Sequence, residues 1–184
     1  MSTTTRWTSA DLESLPDDGT RYEIIDGELY MSTAAHVFHS EVCAKACIEL
    51  GGWNGKEKRG KVLSGPGLIF ADDDDVIPDA VWISNERFAI ALGDDGKLHS
   101  APELVIEVLS PGSTNEKRDR ETKLKLYARR GVSGYWILSW QKRQAEIYGS
   151  VEEELTLVAT LGETDVLESP LLSGFSCSVA ALLP

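Results

Sequence analysis

The sequence is poor in several features that would place it at once. It has no run of about 18 apolar residues, the length a helix needs to cross a bilayer, and its opening, MSTTTRWTSADLE, lacks the basic-then-apolar order of an export leader. Neither a membrane-spanning nor a secreted protein is expected. Cysteine is scarce and odd in number: Cys43, Cys47 and Cys177 cannot all pair, so free thiols in a reducing, cytoplasmic compartment are expected. There is no glycine-rich phosphate loop of the nucleotide hydrolases and no paired-cysteine frame of a zinc finger; Gly65-Pro66-Gly67 is too short to count. Positive charge is scarce as well. Lys and Arg number 18 against 30 Asp and Glu, a net charge of −12, so the whole molecule repels a polyanion at long range.

What is present describes one domain spanning residues 1–184, since that length and an apolar share of 42% suffice for a single core. The scarce basic charge is concentrated. Lys117, Arg118, Arg120, Lys123, Lys125, Arg129 and Arg130 face only Asp119 and Glu121 within one short stretch. Acid is concentrated elsewhere, at Asp72 to Asp75 and Glu152 to Glu154, and such runs are ordinarily solvated loop surface.

Thr8 or Ser9 can cap a short helix over ADLESL, ahead of Pro16. Tyr22 to Ile25 and Glu28 to Met31 read as strands joined by Asp26-Gly27, the dipeptide of a two-residue hairpin turn. Val42, Ala46 and Leu50 keep helical spacing from about His36, and Gly51-Gly52 is expected to end that helix. Lys61 to Phe70 reads as one strand, and Asp79 to Ser84, after Pro78, as another. ELVIEVL, Glu103 to Leu109, is apolar on both faces apart from its glutamates, as in a central strand covered on each side. A helix over Glu116 to Arg130 ends at Gly131, and Tyr135 to Leu138 follows as a strand, which implies a right-handed parallel crossover. Short strands, turns and a weakly helical ALL tail complete the chain. The fold class is α/β (α+β), a central mixed sheet flanked by helices with an N-terminal β-hairpin.

Two carboxylates sit where they are costly. Glu107 lies among Val105, Ile106, Val108 and Leu109, and Asp79 opens a strand that continues as Val81, Trp82 and Ile83. If the two strands are adjacent and antiparallel, the start of one meets the end of the other and Asp79 comes beside Glu107. A hard divalent cation such as magnesium resolves the repulsion between such a pair, and it can activate water and stabilise a phosphoryl transition state. At about 100° per residue, Lys123 falls inside the apolar arc of Leu124, Leu126 and Tyr127, facing the sheet, while Lys125 points away. Its ammonium can then pair with the carboxylates, orient water or stabilise charge on phosphate. The competing reading is a buried salt bridge with no chemistry.

With these residues in view, the chain resembles the PD-(D/E)XK nuclease superfamily and, within it, the Uma-type endonuclease family, a bacterial domain of unknown function. The resemblance runs through RYEIIDGELYMS (Arg21 to Ser32), His39, IPDAVWIS (Ile77 to Ser84), APELVIEVLSP (Ala101 to Pro111), KLKLYARRGVSGYWIL (Lys123 to Leu138) and the closing PLLSGFS, nearly the whole chain. It implies a restriction-endonuclease-like fold and a DNA endonuclease dependent on Mg2+ or Mn2+, with Asp79 and Glu107 as metal ligands. The superfamily lysine would stand two residues after the glutamate, where this chain has Leu109. In the Uma-type group the following helix supplies it, and Lys123 matches that place.

Glu28 and, less strongly, Glu23 are retained in the hairpin motif as further catalytic carboxylates. His39 matches a family histidine and, with Arg120 of the basic helix, is a candidate for contacting nucleic acid. Ser110 is as well explained by the turn at Pro111-Gly112. Cys43 and Cys47, one helical turn apart, suggest half of a zinc site, but core packing explains them better. Trp82 and Trp136 lie in apolar strands and belong to the core. Leu109 and the net charge of −12 favour a different class of protein, a catalytically silent module that binds nucleic acid or protein. A homodimer, suited to cutting two strands, is a further expectation.

Overall fold

A computed structural model describes residues 6–184. The elements in chain order are α1 (Ser9–Leu12), the hairpin β1 (Arg21–Ile25) and β2 (Glu28–Ser32), α2 (Val37–Glu57), β3 (Gly60–Ser64), β4 (Leu68–Ala71), β5 (Asp74–Val76), β6 (Ala80–Ser84), α3 (Asn85–Ala91) and β7 (Leu104–Val108). Then α4 (Ser113–Lys117) runs through a π-helical segment, Arg118–Lys123, into α5 (Leu124–Arg129). β8 (Gly134–Ser139), β9 (Gln144–Val151), β10 (Glu154–Gly162), β11 (Val166–Glu168), β12 (Ser176–Ser178) and α6 (Val179–Leu182) follow.

Six strands form a central mixed sheet in the order β10-β9-β8-β7-β6-β3, and the hairpin joins a smaller sheet ordered β2-β1-β5-β4. Strands β7 and β8 pair in parallel, Leu104 with Gly134, across the α4–α5 connection, as the strand–helix–strand spacing requires. Strands β6 and β7 are adjacent and antiparallel, with Ala80 opposite Ile106. Alternation then sorts the side chains. Leu104, Ile106 and Val108 pack under α2 and α6, whereas Val105 and Leu109 pack with Val81, Leu126 and Tyr127 beneath α5. Trp82 and Trp136 are buried in the first of these clusters. Among the described residues, no helix is long and apolar enough to cross a membrane.

Three sequence expectations are corrected. Gly51-Gly52 does not end α2, which continues to Glu57 and stops at Lys58 in the left-handed conformation, φ 54°. The buried stripe His39, Val42, Ala46, Leu50 and Trp53 crosses the glycines, and Trp53, bonded to the Ser173 carbonyl at 3.1 Å and edge-on to Trp82, holds the last turns down. That packing outweighs a glycine cost of about 1 kcal/mol each. The stretch from Lys61 to Phe70 is not one strand: it breaks at Gly65-Pro66-Gly67, with Gly65 at φ 59°, and its halves enter different sheets. The acidic run from Asp72 is not all solvated. Asp74 and Asp75 are buried, Asp74 accepting from both Arg129 and Arg130, while Glu152 and Glu153 form the exposed β9–β10 turn, both at positive φ.

Candidate active site

A cavity of about 640 Å³ opens at the edge shared by β1, β6, β7 and the α4–α5 helix, lined by Arg21, Glu23, His39, Asp79, Glu107, Arg118, Asp119 and Lys123 among others. Each side chain arrives for a local reason. Asp79 lies one residue beyond the last β6–β7 pair, in line with Glu107, and its Oδ2 accepts the Val108 N–H at 2.8 Å in place of a strand carbonyl. Glu107, directly opposite in register, shares the α5 face of the sheet with Val105 and Leu109. From the hairpin, Arg21, Glu23 and Ile25 share one face by strand alternation. Glu23 Oε1 also accepts the Ile77 N–H at 2.9 Å, which ties β1 to the segment before Asp79.

Lys123 is fully buried and donates to Glu107 Oε1 and Glu23 Oε1, both at 2.9 Å; the Tyr127 hydroxyl donates to Glu107 Oε1 at 2.7 Å. Both bonds to Glu107 fall on Oε1, so Oε2 is uncommitted among the described residues. Asp119, four residues before Lys123, turns to the same interior and accepts from Arg118 Nε at 3.1 Å. The π-helical turn carrying it is pinned by the Tyr135 hydroxyl, which donates to the Asp119 carbonyl. His39 projects from the first turn of α2 with Nε2 3.3 Å from Asp79 Oδ2, and Arg21 Nη1 reaches Asp79 Oδ1 at 3.2 Å. Arg21 Nε and Nη2 are buried without a partner among the described residues, leaving N–H groups unspent in the cavity wall.

The charges are unevenly shared. Burial opposes ionisation of Asp79, but the hydrogen bond and charge of His39, then Arg21 and the Val108 N–H, hold its carboxyl well below the usual range. The same contact, against burial, raises the His39 imidazole above its ordinary value. Burial is opposed at Glu23 by Lys123 and Arg21, which hold that carboxyl down. At Glu107 burial wins: with Asp79, Asp119 and Glu23 nearby, its carboxyl is pushed up to about 8 despite Lys123. Burial likewise raises Asp119, while the surrounding carboxylates, Glu107 first, keep Lys123 protonated. An acidic pair whose inner carboxyl is raised by burial and by the neighbouring acids, with oxygen donors facing an open cavity, fits a hard divalent ion.

The structure thus brings Asp79, Glu107, Lys123 and His39 to one cavity, and position 109, on the same strand face as Glu107, is filled by a leucine packed in the core. Two predicted residues are not brought there. Glu28 is exposed on the outer strand at the turn end of the hairpin, accepting from the Tyr30 hydroxyl at 3.1 Å, because the register sets it opposite Ile25 while Tyr30 stands opposite Glu23. Arg120 turns off the cavity into an ion pair with Glu146 and another with Glu116, and it is Arg118 that lines the wall. Asp119, Arg118, Arg21 and Tyr127 were not singled out from sequence. The i, i+4 spacing of Asp119 to Lys123 and the alternation of Arg21 with Glu23 were the signals for two of them.

Among solved structures, a putative nuclease belonging to DUF820 from Anabaena variabilis superposes with a TM-score of 0.74 at 16% identity, covering 95% of this chain and 96% of that one. The fold is shared throughout, and it is the restriction-endonuclease-like fold. The type IIG restriction endonuclease BpuSI matches 79% of this chain and 15% of its own length at 15% identity, with a TM-score of 0.41. No curated protein matches. The family model Uma2, described as "Putative restriction endonuclease", matches residues 9–180, and the chain belongs to that family.

Proposed function

We propose that this chain is a metal-dependent endonuclease hydrolysing phosphodiester bonds, with DNA as substrate. The observation that carries the reading is the convergence of Asp79, Glu107 and a fully buried Lys123 on one open cavity. Asp79 and Glu107 Oε2 are the donors for Mg2+ or Mn2+, which when bound supplies Lewis acidity and lowers the pKa of water. Lys123 Nζ keeps its proton and fixes the Glu107 carboxylate, with Tyr127 as second donor to the same oxygen. His39 and the Val108 N–H fix Asp79 from two sides. The unspent N–H groups of Arg21 are placed to take phosphate oxygens, and Arg118 adds positive charge to the wall. Glu23 orients Lys123 from the hairpin.

The test compares cleavage of single- and double-stranded DNA with Mg2+ or Mn2+ by the native chain, Asp79→Ala and Glu107→Ala. Loss in both variants supports the reading, and equal cutting by all three ends it. Leu109 in the lysine position and the net charge of −12 favour a second reading, a binding module without catalysis. Under it, calorimetry gives no heat with millimolar magnesium while nucleic acid or a protein partner still binds. A homodimer, read by sedimentation, would set two such cavities against two strands.

A further inference from the structure

Behind Asp79, on the α2 side, lies a second opening of about 330 Å³, lined by Arg21, His39, Ser40, Cys43, Ser64 and Asp79. It shares Arg21, Ala35, His39 and Asp79 with the larger cavity but excludes Glu107 and Lys123, while Cys43 lines only this opening. His39 and Cys43 are four residues apart on α2 and project from successive turns of one face, the helical spacing at which paired side chains hold a transition metal. Asp79 faces them from the sheet. One ligand atom from each of the three lies within 4.8 Å of the others. His39 Nε2 and Asp79 Oδ2 stand 3.3 Å apart. With bonds of about 2.0 Å to nitrogen and oxygen, two ligands of a tetrahedral zinc ion are separated by about 3.3 Å, so this pair already has the required spacing. Cys43 Sγ lies at the other nitrogen of the same imidazole, 3.5 Å from Nδ1, so a rotation of its side chain is needed to join Asp79 on an ion at Nε2. A set of thiolate, imidazole and one carboxylate selects a borderline-soft dication and is poor for magnesium, the reverse of the all-oxygen pair Asp79 and Glu107.

We propose that His39, Cys43 and Asp79 form a binding site for a dication of the zinc class, with a fourth position open to solvent, and that its occupation commits Asp79 away from Glu107 and inhibits the larger cavity. Binding displaces the Cys43 thiol proton to solvent. The binding half stands on these three residues alone; the inhibitory half rests on the nuclease reading.

The test titrates tag-free protein with Co2+ as a spectroscopic stand-in. One equivalent gives a thiolate-to-cobalt charge-transfer band, discharged by Zn2+. The band is lost in Cys43→Ser and kept in Cys47→Ser, with circular dichroism showing both variants folded. No band in the native chain, or a band that survives Cys43→Ser, overturns the site. In the second arm, Zn2+ suppresses Mn2+-dependent cleavage by the native chain, and Cys43→Ser, which cuts normally without zinc, needs at least about tenfold more zinc for the same suppression. Equal suppression of both overturns the inhibitory half. A cobalt band in a chain that cuts no DNA supports the site, overturns inhibition and counts against the nuclease reading instead.

Discussion

Asp74 and Glu107 are both buried carboxylates held by basic side chains, and they are held differently. Asp74 accepts from the guanidinium groups of Arg129 and Arg130 and from the Asp26 N–H, while Arg129 also grips Asp26. These donors overcome burial and keep its carboxyl below the ordinary value. Glu107 shares one ammonium with Glu23, has Asp79 and Asp119 as neighbours, and faces a cavity. Its carboxyl is pushed up to about 8. The first cluster is closed and electrostatically complete, a clamp between the hairpin sheet and α5. In the second, acid exceeds base on the side open to solvent, which is the condition for taking up a cation.

The largest expected effect separates the clusters by what Lys123 does. Lys123→Met removes the ammonium bonded to both Glu107 and Glu23 and should cost about 3–5 kcal/mol in urea unfolding, because two buried acids lose that partner. Next, Asp79→Ala should lower metal-dependent cleavage by about 100-fold or more while the chain stays folded; a fall of less than that would remove Asp79 from the chemistry. Asp74→Asn should do the opposite, costing about 1–3 kcal/mol of stability with cleavage unchanged. Loss of cleavage in a folded Asp74→Asn chain would erase the distinction between the two clusters.

Acidity gives a smaller effect with a defined sign. The folded-state value for Glu107 is raised above 4.5, so its contribution to stability is full below that pH and is lost as pH rises through about 8. Without metal, stability should therefore fall between about pH 4.5 and 8, and Glu107→Gln should flatten that slope in a series of denaturant melts. Asp74 has a lowered value, so its contribution is present above the unfolded value and is lost only as pH falls through the folded one. Least of all, Glu28→Ala, exposed at the hairpin turn, should change stability by no more than about 0.5 kcal/mol and leave cleavage intact. A large loss of cleavage would return Glu28 to the site.

The pairing of Asp79 with Glu107 was legible because carboxylates inside apolar strands are conspicuous, and the twenty-odd residues between them suit an antiparallel return. Lys123 was legible by helical arithmetic even though Arg118–Lys123 is π-helical, because the arc of Leu124, Leu126 and Tyr127 that sets the inward face lies in the regular helix just after it. That Glu23 and not Glu28 lines the cavity has a different reason. Both occupy the same face of the hairpin, and only the docking of β1 against β5, not alternation, decides which one reaches the cavity. Arg120 and Arg118 repeat that lesson on the helix, where the partner carboxylate, Glu146, comes from the distant β9.

By itself the sequence determined the periodic elements, the two faces of the central strands and the unusual acids within them, since these follow from local hydrophobic spacing and the cost of burying charge. Only the tertiary structure decided which cations answer which acids. Ion pairing depends on side chains from Arg21 to Glu146 meeting within a few ångströms, and strand register and sheet order, not local spacing, bring them together.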